Sequence, residues 1–217
     1  MAGLVVFDMD GVLADVVSSW VHVHRHFGVN NDHSLRAYLR GEIDDLEFIR
    51  RDIELWMNRE PGVDLARIRD ILSSVPLMPG AEACVSGLRE RGFRTAIVSA
   101  GIDLLAERIA SELGIDVYLA NGLVADRYGR LTGRGVLRVK LTDKGDAVTE
   151  VGKRLMVSKN DIVAVGNSRY DLSMFARASV GIAFCPEDEQ VRAGAGAVIE
   201  DKDLSKVLEI IDSRVHR

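Results

Sequence analysis

The sequence predicts an open α/β sheet, mostly parallel and flanked by helices, with an all-helical segment inserted after the first strand. Three observations lead there. Short apolar runs recur as LVVF (4–7), TAIVSA (95–100), DIVAVGN (161–167) and, more weakly, ASVGIAF (178–184). Runs of that kind suit strands covered by helices on both faces. From residue 79 onward they alternate with helical patterns, the beat of a parallel sheet. Between the first run and the second lies a long stretch of almost wholly helical character.

Each element has a local reason. The helix candidates of the α/β portion are 80–92, 103–114, 144–156 and 169–178. In the second of these, Leu104, Leu105, Ile109 and Leu113 fall near helical spacing, and Gly92 and Gly114 are natural helix stops. The insertion, 15–78, carries SSWVHVHRHFG, HSLRAYLRG, LEFIRRDIELWMN and ARIRDILSSV. Pro76 and Pro79 bracket the return to the α/β portion, because proline lacks an amide donor and restricts its predecessor. The expected division is therefore a core of 1–14 plus 79–217 and a helical cap of 15–78, standing over the carboxyl ends of the strands. The segment 115–134, punctuated by NG, YG and TGR, reads as a small hairpin ribbon at the sheet edge.

Bulk properties narrow the function. With 217 residues, 47% of them hydrophobic, the chain can bury a sizeable core. Its 28 Lys and Arg against 33 Asp and Glu argue against a broad nucleic-acid surface while leaving room for a local basic pocket. Cys84 and Cys185 lack metal-ligand spacing and read as reduced, packed thiols, which fits the cytoplasm. The start of the chain lacks the features of a secretory signal, and no apolar run approaches the roughly 20 residues that span a bilayer. A soluble protein, with neither a nucleic-acid nor a membrane partner, is the expectation.

The chemistry starts at LVVFDMDGVLAD, where two aspartates, Asp8 and Asp10, close an apolar strand one residue apart. Like charges so placed repel unless a cation or a reaction needs them. A hard divalent ion such as Mg²⁺ makes the cluster favourable by taking carboxylate and carbonyl oxygens while keeping water. Gly11 relieves crowding where the chain must turn under a ligand. Other strand ends add Ser99, with Gly101 following, and Asn167, with Asp171 at the opening of a helix; Lys144 precedes another helix. Taken singly these are a helix cap, a first-turn acid and a surface lysine. Together, at strand ends, they make a site.

The motifs VVFDMDGVL, VSAG, the lysine of TDKG and GNSRYDLSMF resemble, in order, those of the haloacid dehalogenase-like phosphatase superfamily, in its phosphoserine phosphatase-like branch. The stretch AGIDLLAERIASELGIDVYLANGLVADRYGRLTG is similar to the same branch. The resemblance implies a Rossmann-like core with an inserted helical cap and a Mg²⁺-dependent hydrolysis of a small phosphorylated metabolite. Asp8 would be the nucleophile that becomes an aspartyl phosphate, and Asp10 the acid and then the base, its backbone carbonyl on the metal. Ser99 and Lys144 would bind the phosphoryl group, and Asn167 and Asp171 would complete the Mg²⁺ site with Asp8 and Asp10, directly or through coordinated water.

The sequence departs from that pattern in two places. Asn167 stands where relatives usually carry aspartate, Ser168 where they often carry glycine, and Tyr170 with Asp171 replaces an asparagine–aspartate pair. One negative charge is lost from the metal site, and a metal-hungry enzyme is expected. In phosphoserine phosphatases a glutamate shortly after the first motif pairs with the substrate ammonium and a cap arginine takes its carboxylate; seven residues beyond Asp10 this chain has Val17. Arg50, Arg51 and Arg59 are candidates for the carboxylate donor, and Glu42, Asp44, Asp45 and Glu47 for the acid. His22, His24 and His26 read as cap packing, with Trp20 and Phe27 as apolar anchors. The alternatives are a phosphotransferase or mutase using the same intermediate, and a non-enzymatic protein that binds a phosphorylated ligand.

Overall fold

A computed structural model describes residues 3–215. In chain order the elements are β1 (Leu4–Phe7), α1 (Ser19–Phe27), α2 (Asp32–Leu39), α3 (Asp45–Arg59), α4 (Leu65–Ser73), α5 (Ala81–Glu90), β2 (Arg94–Ile102), α6 (Asp103–Leu113), β3 (Val117–Ala125), β4 (Leu131–Val136), α7 (Gly145–Leu155), β5 (Ile162–Gly166), α8 (Leu172–Phe175), β6 (Val180–Phe184), α9 (Glu189–Gly194), β7 (Ala197–Ile199) and α10 (Lys206–Val215). Among the described residues the strands form one sheet in the order β4-β3-β2-β1-β5-β6-β7, parallel throughout except for the β3–β4 pair.

The sheet follows from the apolar runs. Every residue of β1 is fully buried. Successive side chains alternate between two cores. Val5 and Phe7 face the one that also holds Leu88 of α5, Ile109 of α6 and Val207 of α10. Leu4 and Val6 face the other, with Val148 of α7, Met174 of α8 and Val191 of α9. The pattern cannot be satisfied on an edge strand, so β1 sits in the middle, between β2 and β5. Chain direction turns outward on both sides of β1, which opens a crevice at its carboxyl end. The residues after β1 and β5, together with the late part of β2, share that end.

The inserted segment folds as four helices, α1 to α4, three of them capped by side chains that the sequence supplies. Ser18 accepts from the amide of Val21, Asp44 from that of Glu47 and Asp64 from that of Arg67. Helices α1, α3 and α4 share an apolar cluster that is continuous with the core above one face of the sheet, running from Val23, Ile53, Trp56 and Ile68 to Phe7 and Leu13. The β3–β4 ribbon, expected as an edge structure, also supports this helical layer. The amide of Leu131 donates to Val63 O at 2.9 Å and that of Leu65 to Gly129 O at 3.0 Å. Ile49 of α3 lies so close over Gly135 that an added Cβ would meet its Cγ2 at 2.2 Å.

Two elements differ from the sequence reading. The helix expected at 169–178 is a 3₁₀ turn, Arg169–Asp171, followed by the single short helix α8, because the Asp171 carboxylate folds back onto the amides at its own start. The run 95–100 extends to Ile102, so Ser99 lies within β2 rather than at its end, where the pairing with β3 shifts register.

Candidate active site

Asp8, Asp10, Ser99, Lys144 and Asn167, expected from their positions at strand and helix ends and from the motif resemblance, line one cavity of about 320 Å³ between the sheet and the inserted helices. Each is placed by a nearby backbone constraint. Asp8 continues β1, its amide donating to Val165 O at 2.9 Å, and its Oδ1 accepts from the amide of Met9 at 2.7 Å. Ser99 is 2% exposed and its Oγ accepts from the amide of Gly101 at 3.2 Å, which leaves the hydroxyl proton for a ligand. Lys144 stands at the start of α7, its amide held by Ser173 Oγ at 2.9 Å.

The floor of the cavity is an ion triad. Lys144 Nζ lies 2.8 Å from Asp8 Oδ2 and 2.7 Å from Asp171 Oδ1, with all three groups buried. Burial works against the Lys144 charge, but the carboxylates of Asp171 and Asp8 outweigh it and hold the ammonium well above its ordinary pKa. Burial pushes the Asp8 carboxyl up to about 7, with Lys144 opposing and Asp171 and Asp10 adding to the rise. One ammonium thus serves two buried carboxylates directly, with a third, Asp10, close by.

Asp171 is not disposed to bind a cation directly, one of the two roles expected of it. Its Oδ1 is taken by Lys144, and its Oδ2 accepts from the amides of Asn167 at 2.9 Å and Ser168 at 3.0 Å and from Ser168 Oγ at 3.2 Å. The carboxylate is fully buried and saturated with protein donors, so it holds Lys144 and the 167–168 turn in place instead of facing the cavity.

Asp10 is gripped from one side only. Its Oδ2 accepts from the amide of Ser19 at 2.8 Å and from Ser19 Oγ at 2.9 Å, while Oδ1 is buried without a partner among the described residues. Burial raises its pKa, and the Ser19 bonds oppose the rise. Ser19 Oγ also accepts from the amide of Ile102 at 3.1 Å, tying the first turn of α1 to the end of β2. The fit leaves no room at Gly101, where a Cβ would come within 2.5 Å of Met9 and 2.9 Å of Asp10 Oδ2.

Whether these residues suit a divalent ion is a question of donors. Among the described residues no group of three or more His, Cys, Asp or Glu side chains is disposed to hold a metal. The donors that would hold Mg²⁺ on the family resemblance are of another kind: Asp8, the backbone carbonyl of Asp10, and the amide of Asn167, packed so tightly on Gly11 that a Cβ there would lie 2.3 Å from Asn167 Nδ2. That Nδ2 donates to Glu187 Oε1 at 3.1 Å, and the amide of Glu187 donates back to Asn167 O at 2.8 Å. The side-chain nitrogen being engaged, Oδ1 is the atom left for a cation. Hard oxygen donors, with an acidic excess around one ammonium, fit Mg²⁺.

Sequence reasoning missed Ser19, Glu187 and Asp52. Ser19 reads as one of two serines in a row at a helix start, and Glu187 sits in an acidic loop far along the chain; neither carries a motif. Of the cap acids expected to face the cavity, Asp45 does, whereas Glu42, Asp44 and Glu47 do not. The arginines are a correction: Arg50 pairs with Glu47 and Glu54, Arg51 pairs with Glu47, and Arg59 is exposed at the end of α3. None of them lines the cavity. The histidines act in packing, His22 Nε2 near Ser74 Oγ and Ile71 O, His26 against Arg67, and His24 on Trp56.

Comparison with known proteins agrees with this geometry. Residues 5–176 match the model of the haloacid dehalogenase-like hydrolases, and the chain belongs to that family. Within it the chain falls in the branch of the phosphoserine phosphatases and is an enzyme of the phosphatase class. It is 30% identical to the phosphoserine phosphatase of Archaeoglobus fulgidus over 95% of its own length, spanning 60% of that relative. It is 31% identical to that of Streptococcus thermophilus, covering 97% of this chain and 96% of the other. A solved phospho-aspartyl intermediate analogue of phosphoserine phosphatase superposes with a TM-score of 0.79 at 28% identity, over 96% of this chain and 98% of that one. No helix among the described residues is long and apolar enough to cross a membrane.

Proposed function

We propose that this protein hydrolyses a small phosphate monoester through an aspartyl phosphate on Asp8, with Mg²⁺ as cofactor and the segment 15–78 as the cap over the reaction. The observation that carries the reading is the Lys144 bridge between Asp8 and Asp171 at the floor of a cavity also lined by Ser99, Asp10 and Asn167. A cavity of about 320 Å³ suits a metabolite, and two free cysteines suit a reducing compartment such as the cytoplasm.

Asp8 attacks phosphorus and the ester P–O bond breaks, the leaving oxygen taking the proton of Asp10. A water then attacks the aspartyl phosphate, giving its proton to Asp10 and releasing inorganic phosphate. Asp10 suits both half-reactions because Ser19 fixes one oxygen while the other is unengaged. Lys144 and the Ser99 hydroxyl donate to phosphoryl oxygens as charge builds there, in a site already organised by Asp171 and Gly101. Mg²⁺, when bound by Asp8, the carbonyl of Asp10 and the oxygen of Asn167, supplies positive charge against which two anions can meet. The raised carboxyl of Asp8 is consistent with a nucleophile that needs that cation nearby.

The test is hydrolysis of p-nitrophenyl phosphate against Mg²⁺ concentration, with acid quench and mass spectrometry of the peptide containing Asp8. Turnover with a phosphorylated Asp8 peptide is expected. Phosphoryl transfer to added alcohols at the expense of water would move the assignment to a phosphotransferase. Asn167, short of one charge, favours a second reading, a phospho-ligand-binding protein without turnover; silence at every Mg²⁺ concentration, in the wild type and in Asn167→Asp alike, would select it.

A further inference from the structure

The wall of the cavity opposite the reacting groups comes from the inserted helices, and its chemistry is unlike that of a site for an amino-acid phosphate. Val17, Trp20, Leu35 and Phe48 make it apolar, and Asp45 and Asp52 are its acids. Among the described residues that line the cavity, Lys144 alone is basic, and it is committed to Asp8 and Asp171. A carboxylate on the leaving group would therefore meet Asp45, Asp52 and hydrocarbon, with neutral donors such as Ser18 and Asn31 but no uncommitted cation to offset its desolvation.

Asp52 is built for the opposite charge. It is 2% exposed yet lines the cavity, and its Oδ1 is buried without a partner among the described residues. Oδ2 accepts from Asn31 Nδ2 at 3.1 Å and stands 3.5 Å from His24 Nε2. The indole of Trp56, a donor only, gives its N–H to His24 Nδ1 at 2.7 Å, so that nitrogen is an acceptor and the ring's proton sits on Nε2. The imidazole in that form brings no formal charge to Asp52. Asp45, by contrast, already has Tyr38 Oη at 2.9 Å and the amide of Leu141 at 3.3 Å. A buried carboxylate oxygen with neither a hydrogen bond nor a compensating cation is expensive unless a ligand completes it. Burial holds the Asp52 carboxyl above its ordinary range, with His24 and Asn31 opposing the rise.

Resting on the phosphatase reading above, we propose that the leaving group is an amino alcohol without a carboxylate, its ammonium completing Asp52 beside the aromatic rings of Trp20 and Phe48. Aromatic faces and one carboxylate are the usual complement of such a cation. The phosphoester is thus zwitterionic, its anionic end on Lys144 and Ser99 and its cationic end on the cap.

Steady-state rates of the full chain with Mg²⁺ on O-phosphoethanolamine, phosphocholine, O-phosphoserine and p-nitrophenyl phosphate test this. An amino-alcohol phosphate is expected to exceed O-phosphoserine in kcat/KM by about tenfold or more, and Asp52→Asn to lower the ratio of its kcat/KM to that of p-nitrophenyl phosphate by about 30-fold. Calorimetry on the Asp8→Asn chain, with the same phosphoesters, should give the same ranking of affinities, so the inference is read even where turnover is absent or Asp52→Asn fails to fold. O-phosphoserine equal or better in rate and in affinity, or an unchanged ratio in Asp52→Asn, overturns it. Failure of the phosphatase reading is seen separately, as no release of p-nitrophenol.

Discussion

The floor and the wall of the cavity are built on different principles. On the floor, the carboxylates of Asp8 and Asp171 are matched by donors from neighbouring strand ends: Lys144 bridges them, and the amides of Met9, Asn167 and Ser168 take the rest. On the wall, Asp52 keeps a buried oxygen unmatched and the arginines of α3 point their charge at neighbouring glutamates. A triad closed on itself changes little with the substrate, because any phosphate monoester presents the same group to it. A wall with an unmatched charge is specific to whatever completes it. On the proposed function, shared chemistry resides in the sheet and specificity in the insertion.

The floor offers the severest trial of this contrast. Asp8→Asn should lower turnover of p-nitrophenyl phosphate by about 10⁴-fold or more with the circular dichroism spectrum unchanged, since the amide is no nucleophile. Residual activity near wild type would remove Asp8 from the chemistry. Lys144→Met comes next: it leaves Asp8 and Asp171 buried without their cation, so turnover should fall by about 10³-fold and the metal-free chain should lose about 3–5 kcal/mol in urea titrations.

Subtler changes probe the edge of the floor. Glu187→Gln weakens the hydrogen bond that aims the Asn167 amide, and Mg²⁺ affinity by calorimetry should drop by about tenfold. In an Asn167→Asp background, where no side-chain N–H is left for Glu187 to hold, the same change should cost less, about threefold, through the lost charge alone. An equal drop in both backgrounds would dismiss Glu187 as a positioning residue.

The pH response of the wall is slighter still. Asp52 has a folded-state pKa raised above its ordinary value of 3.8, so the folded chain holds its proton more tightly than the unfolded one. That contribution to stability is complete below 3.8 and is lost as pH rises through the folded value. The melting temperature of Asp52→Asn relative to wild type should therefore increase from pH 4 to pH 8; a constant difference would show Asp52 already matched.

Much of the floor was legible in the sequence because it is encoded locally. A strand buried on both faces needs a continuous apolar run, and a polar residue just beyond such a run must lie at the sheet end, so Asp8 and Asn167 declared their positions. The inserted helices declared themselves as a long stretch of helical character whose end Pro76 and Pro79 bracket. Asp171 was legible as a site residue, but what it does there was not. Its short turn folds the carboxylate back onto Lys144 and the 167–168 amides, which a helical reading of 169–178 hides. Asp52 looks like any polar residue in a charged helical stretch, and only packing shows that it faces inward.

Local patterns in the chain were enough for the order of elements as far as β6, the helical insertion and the acids at the strand ends, because periodicity and burial are properties of neighbouring residues; α9, β7 and α10 were not anticipated. Three-dimensional packing was needed to show that Glu187 holds the Asn167 amide, that Ser19 holds Asp10, and that the cap presents Asp52 and no arginine to the cavity. Those pairings join elements distant in the chain, and their geometry is set by how helices and sheet pack on one another, a choice that no local pattern records.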